Sequence, residues 1–291
     1  MNPKVLGIAL SDISTNLIFY PDDEALIFPT VISKKKGEDA WVVGEDAYAL
    51  ALDGKGIITD KLLKLTRKDG IATIDGTRYE GKEILKIYFR EIINAGMEKL
   101  YKEKPDEVVV AMSGLEEDIV GDIRAAFVGL GYQPNHIHII SKEESFIYFV
   151  LSLKKDIWNN KVGMYDLSDV SLTYYEMLVN RNSRKLLVNA ESENMDEAFN
   201  LQILNNPSGA KLADKILTSV AEKVMDKKKF SSIFLTGQVF AEHEWADGFI
   251  SYLCSRGKVY LDTNIFAKGA AFKGVDLASE NSIYNLTAIC E

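Results

Sequence analysis

The sequence predicts an α/β protein of two successive lobes, each built on a mixed five-stranded sheet. Three observations predict it. The element order β-β-β-α-β-α-β-α occurs twice, starting near Val5 and near Val162. The chain has 291 residues, enough for two ordinary domains with full cores. Its composition, 47% hydrophobic and 26% charged, is that of a folded globular protein and excludes general disorder, collagen-like repeats and coiled coil.

The first half opens with three apolar segments, Val5–Leu10, Thr15–Tyr20 and Ala25–Ile32, separated by short polar turns, which read as a three-strand meander. Residues 33–81 are mixed, with a short candidate helix at Glu45–Leu52. From Lys82 to Tyr101, Leu85, Tyr88 or Phe89, Ile92, Ile93 and Leu100 recur at three- and four-residue spacings, a helix that Pro105 keeps from continuing. Glu107–Met112 is an apolar run of buried-strand type. Ser113-x-x-Glu116 predicts a capping box for the helix that carries Leu115, Ile119, Ile123, Phe127 and Leu130 and ends at Gly131. His136–Ile140 reads as a strand, and Ser141-x-x-Glu144 as a second capping box before a helix to about Lys154.

The pattern then restarts. Lys161–Asp166, Leu172–Val179 and Lys185–Ala190 are strands, and the acidic Glu191–Glu197 is expected to be a flexible tip. Gly209–Asp226 is a helix with Leu212, Ile216, Val220 and Val224 in register; Ser231–Thr236 is a strand; Trp245–Cys254 is a helix; Val259–Leu261 is a short strand; and Ile265–Phe272 is a helix rich in small residues. Each half would be an antiparallel meander followed by parallel crossovers, with helices on both faces. The expected lobes are 1–157, with a small insertion at 33–81, and 158–291, with a short insertion at about 191–207. Ile283–Ile289 reads as a last strand, either a natural end on a sheet edge or, the favoured expectation, the point where the N-terminal part of a longer protein is cut.

Composition narrows the function classes. No apolar run approaches the roughly 18 residues of a membrane span, and Ser11 and Asp12 interrupt the first apolar stretch too early for a signal peptide. Two cysteines, Cys254 and Cys290, make no disulfide framework, so a reducing cytoplasm is the expected location. The net charge of −9 lacks the basic balance of nucleic-acid binding.

In this order, several segments resemble the superfamily of actin, the heat-shock-chaperone ATPase domain and the sugar kinases. Val5–Leu17 looks like the first phosphate hairpin, and Phe28–Ile32 followed by Trp41–Ala51 resembles the chaperone segment after it. Glu107–Gly114 and Ile139–Val150 resemble the strand and helix of the first connecting region. Val162–Tyr175 looks like the second phosphate hairpin, Ile233–Gly237 the adenosine strand, and Asn264–Phe272 the second connecting helix, whose small residues let two helices approach. The resemblance implies a two-lobed actin-like ATPase fold with ribonuclease-H-like sheets, a nucleotide between hairpin turns, and magnesium. It places ATP or ADP at Leu10, Ser11, Asp12 and Ile13, at Asp166, Leu167, Ser168 and Asp169, and at Gly237 and Gln238, with Asp12 and Asp166 as candidate catalytic and metal carboxylates.

The sequence departs from the family where the chemistry lies. The first-hairpin aspartate falls at Ala9 and the tip glycine at Ser11; the second glycine run reads Ser168-Asp169-Val170; Gln238 replaces a glycine after Gly237. Tip glycines let backbone amides reach phosphates without a side-chain clash. A carboxylate about 5 Å from one phosphate charge, at an effective dielectric of about 20, opposes it by about 3 kcal/mol. The expected nucleotide site is therefore degenerate, with nucleotide weakly bound or absent and hydrolysis lost. Asp166 reads either as a magnesium organiser or as a turn-initiating Asp, and Gly237 either as room for a base or as a plain turn.

Other residues have simpler readings. Glu144 belongs to its capping box rather than to acid–base chemistry. His136 and His138 would share one strand face, but no further ligand pattern supports a metal there. His243 sits with Glu242 and Glu244 in an exposed cluster, and the lysine runs 34–36 and 227–229 are solvated turns. The sequence thus predicts a cytoplasmic pseudo-ATPase acting as an interaction or scaffold protein, with a protein partner or self-association and no nucleic acid. The alternatives are a nucleotide-binding switch or weak magnesium-dependent ATPase, and, behind it, a sugar or acid kinase, for which no residue stands as the catalytic base.

Overall fold

The computed structural model describes residues 3–100, 103–168, 171–180, 186–206, 208–279, 284 and 286–290. Tyr101, Lys185 and Ile283, expected ends of three elements, lie outside them. The first part of the chain runs β1 (Val5–Leu10), β2 (Ser14–Tyr20), β3 (Ala25–Pro29), β4 (Ile32–Lys35), β5 (Trp41–Val43), α1 (Glu45–Leu52), β6 (Gly56–Thr59), α2 (Leu62–Arg67), β7 (Ile71–Ile74), β8 (Thr77–Glu80), α3 (Gly81–Leu100), β9 (Glu107–Met112), α4 (Glu117–Val128), β10 (Ile137–Ser141) and α5 (Lys142–Ser152). The rest runs β11 (Lys161–Asp166), β12 (Thr173–Asn180), β13 (Leu186–Asn194), α6 (Gly209–Val224), β14 (Phe230–Thr236), α7 (Asp247–Arg256), β15 (Lys258–Leu261), α8 (Ile265–Leu277) and β16 (Leu286–Cys290).

Two mixed sheets carry the molecule. The first has the order β10-β9-β1-β2-β3, and the second β15-β14-β11-β12-β13-β16. In each, the first strand pairs antiparallel with the second and parallel with the fourth, so the order predicted twice from sequence is laid down twice in space. The second sheet is not five-stranded: β16 adds a sixth strand parallel to β13. The chain divides into two compact units, 1–145 with 266–280, and 146–265 with 281–291. The division is not a single cut, because α5 and α8 each contribute to both units.

In the first unit, α3 buries Leu85, Tyr88, Phe89, Ile92 and Ile93 of the stripe predicted from its spacing, together with Ile84, in a core shared with Leu6, Ile8, Leu17 and Val110, while Leu100 packs against it only partly buried. The segment 266–280 of the same unit supplies α8. A Cβ on Gly7 would lie 2.2 Å from the Ala267 carbonyl oxygen and 2.5 Å from the Ala271 nitrogen, so the α8 backbone rests directly on β1. A Cβ on Gly269 would lie 1.9 Å from the Ser145 carbonyl oxygen, and Ser145 Oγ donates to Phe266 O at 2.6 Å. The small residues of α8 therefore do permit a close approach to α5, as expected. The second unit has its own core, in which Tyr165, Leu217, Phe240 and Phe249 are fully buried.

Four local expectations are corrected. Ala25–Ile32 is not one strand. Pro29 has no N–H to continue a ladder, Thr30 N donates to Ile13 O and Val31 N to Pro29 O, and the chain turns into β4 of a separate three-stranded sheet, β5-β4-β6. Residues 33–81 thus form a folded insertion, completed by α2 and the β7–β8 hairpin. The Ser113 capping box does not form: α4 starts at Glu117 without a side-chain cap. Instead Arg67 donates to Ser113 O and Gly114 O and pairs with Glu116 at 3.3 Å. The acidic segment after Ala190 is no flexible tip through its first half, because β13 extends to Asn194 against β12. The helix expected from Trp245 begins at Asp247, after a 3-10 stretch over 238–246. Asp214 of α6 accepts from Gly248 N at 3.2 Å and Phe249 N at 2.7 Å, and so caps α7 from another element.

Candidate functional site

The β1–β2 turn, Leu10–Ser14, is closed by its own serine. Ser11 N donates to Ser14 O at 3.0 Å, and Ser11 Oγ accepts from Ile13 N at 3.2 Å and Ser14 N at 3.0 Å. A hydroxyl of the chain thus sits where an anion would have to meet those two amides. Asp12 points elsewhere: its Oδ1 accepts from Leu63 N at 2.8 Å and Lys64 N at 3.2 Å. These are the second and third amides of α2, whose own N-cap residue, Lys61, offers no side-chain acceptor. Asp12 is therefore the N-cap carboxylate of α2, supplied from 51 residues away. Ile13 at the tip is exposed and Leu10 is buried.

Just below this turn, Tyr88 OH donates to Thr15 Oγ1 at 2.8 Å, and Thr15 and Thr30 hydroxyls lie 2.8 Å apart. All three residues are buried, and burial pushes the Tyr88 hydroxyl well above its ordinary pKa against the pull of both threonines. This buried polar chain ties α3, β2 and the turn after β3 together. It was missed in the sequence because none of the three residues belongs to a local motif.

In the second unit, Asp166 ends β11 at 3% exposure and accepts from Ser168 Oγ. Leu167 N donates to Thr236 O at 2.9 Å, tying the turn to the end of β14. Ser171 N donates to Ser168 O at 3.1 Å. Asp169 and Val170, between them, lie outside the described residues. Asp196 braces the far side of this turn: Oδ1 accepts from Leu172 N at 2.9 Å, and Oδ2 from Ser171 Oγ at 3.2 Å and Asn194 Nδ2 at 2.9 Å. Its role was hidden in sequence by the acidic run around it.

Gly237 has φ +102°, and a Cβ there would lie 2.3 Å from Leu167 O and 2.9 Å from Ser168 N. The room beside this glycine is filled by the chain's own turn. Gln238 follows, exposed, at the start of the 3-10 stretch. The candidate residues thus fall into two groups: Leu10–Ile13 in the first unit, and Asp166–Ser168 with Gly237 and Gln238 in the second.

Glu144 N donates to Ser141 Oγ at 3.1 Å, one half of the predicted capping box, while its carboxylate pairs with Lys273 at 3.0 Å. His243 is exposed in the 3-10 stretch. His136 lies just before β10 rather than in it, and both His136 and His138 face Glu107, the first residue of β9. Among the described residues, no group of three or more His, Cys, Asp or Glu side chains could hold a metal ion, and no helix is long and apolar enough to cross a membrane.

No curated protein matches the chain. One family model matches residues 14–291, nearly its whole length, and is described as the C-terminal region of a family of unknown function, DUF5716. With a match of that extent across both sheets, the chain belongs to the DUF5716 C-terminal family.

Proposed function

We propose that this is an actin-like, chaperone-ATPase-like protein of two lobes whose phosphate turns no longer take a nucleotide, and that it works as a cytoplasmic interaction or scaffold protein. The sheet order repeated in the two units supports the fold reading, and so does the close approach of α8 to α5 through Gly269. The observation that carries the functional reading is the β1–β2 turn. Its Ile13 and Ser14 amides are taken by Ser11 Oγ, and its Asp12 carboxylate is committed to the α2 amides. An ATP phosphate would have to displace an internal hydroxyl and then sit near a fixed negative charge. The space beside Gly237 holds the Leu167 backbone rather than room for an adenosine. These residues do not fit magnesium-ATP. The partner is a protein or a second copy of the chain.

Differential scanning fluorimetry with magnesium-ATP and magnesium-ADP tests this directly. A ligand at 100 times its Kd adds about 2.7 kcal/mol of stability and raises Tm by several degrees. The expected result is a shift below about 1 °C at millimolar nucleotide. A shift of several degrees that Asp166→Ala abolishes would overturn the reading in favour of a magnesium-dependent nucleotide switch.

A further inference from the structure

Glu107 begins β9 with its side chain almost fully buried. His136 Nδ1 lies 2.5 Å from Glu107 Oε1, and His138 Nε2 lies 3.4 Å from Glu107 Oε2. One carboxylate is thus bracketed by two imidazoles, yet Oε2 has no hydrogen bond among the described residues. The other groups facing His138 come from two helices: Arg124 of α4 and Lys273 of α8. Lys273 in turn pairs with Glu144 of α5. Next to Lys273, a Cβ on Gly274 would lie 2.4 Å from Val5 Cγ1 and 3.1 Å from Val109 Cγ2, and Val109 is the strand partner of His138. The cluster therefore stands where α8 rests on the β1, β9 and β10 edge of the first sheet. Two cationic side chains facing the imidazole argue against a metal ion and leave the proton as the species this site can exchange.

We propose that Glu107, His136 and His138 form an acid-sensitive latch that seats α8 on the first sheet while His138 is neutral and loosens that seat when His138 takes a proton. The physical reason is charge crowding. A protonated His138 adds a third cation beside Lys273 and Arg124 in a half-buried site, where Glu144 already answers Lys273 and Glu107 is the carboxylate left to answer the other two. The α8 backbone is in close contact with Gly7, so the helix has no slack to slide, and repulsion on Lys273 strains its seat. Burial lowers the His138 pKa below its ordinary value of 6.5, Lys273 and Arg124 lower it further, and Glu107 pulls it back in part. The sign follows. The unfolded chain takes the proton first as pH falls, so the stability of the neutral-His138 state is complete above about 6.5 and is lost between there and the lower folded value.

The full-length chain tests the latch in two measurements. An imidazole NMR titration should place the His138 midpoint below about 6.5, and Lys273→Met should raise it. Hydrogen exchange corrected for intrinsic chemistry should show residues 266–277 losing about tenfold protection between about pH 7.5 and 5.5, with α6 unchanged. His138→Gln should abolish that pH dependence. A wild-type midpoint at or above 6.5, a midpoint that Lys273→Met leaves in place, or α8 protection independent of pH overturns the proposal, even if His138→Gln fails to fold.

Discussion

The two hairpin turns, Leu10–Ser14 and Leu167–Ser171, hold the same place in two sheets of the same order, yet each is fixed by different means. The first is closed inwardly by Ser11 and then reaches out, through Asp12, to cap a helix of the insertion. The second has one backbone bond of its own, Ser171 N to Ser168 O, and is otherwise held from outside: by Thr236 on one flank, by Asp196 on the other, and against Gly237 at its back. A shared topology therefore fixes where a turn lies but not what its polar groups do. Among the described residues, the Ile13 and Ser14 amides and the Asp12 carboxylate of the first turn, and the Leu167 amide and Asp166 carboxylate of the second, already have partners within the chain.

The largest expected effect belongs to the packed back of the second turn. Gly237→Ala puts a Cβ 2.3 Å from the Leu167 carbonyl oxygen at φ +102°, a clash and a strained backbone together. The expected loss is about 3 kcal/mol, or roughly 6–12 °C in Tm. A neutral result would show that the turn can swing away, which would restore room beside Gly237 and break the likeness between the two turns.

Asp12 gives the next effect. Asp12→Ala removes the only side-chain cap recorded for the α2 amides at Leu63 and Lys64, among the described residues. It should cost about 1–2 kcal/mol, with faster hydrogen exchange at those two amides, while Asp12→Asn should lose less because it keeps the acceptor. Unchanged exchange at Leu63 and Lys64 would release Asp12 from its structural role and return it to the nucleotide reading.

These two sites show what the sequence made legible. The boundaries of β1, α1, β9 and β11 follow from apolar runs and punctuation alone, and all four match residue for residue. The departures at Ser11, Ser168 and Gln238 were visible as departures, but their consequences were not. A cap supplied across 51 residues, such as Asp12 on α2, or across 35, such as Asp214 on α7, leaves no local signature. The same holds for Glu107, which looks like part of an apolar strand until β10 brings two histidines beside it. Where a local motif was trusted, at Ser113, Arg67 from a distant helix took over its carbonyl and its glutamate partner.

The smallest expected effect sharpens the comparison most. Asp196 is exposed, and its bonds to Leu172 N, Ser171 Oγ and Asn194 Nδ2 compete with water. Asp196→Ala should therefore cost only about 1 kcal/mol, too little to distinguish by Tm alone from a surface change. The informative measurement is local: hydrogen exchange at Leu172 N should rise, while exchange at Leu167 N, held by Thr236, should not. If both rise together, the second turn is one cooperative unit. If only Leu172 responds, its two flanks are held independently, and the internal closure by Ser11 is a property of the first turn alone.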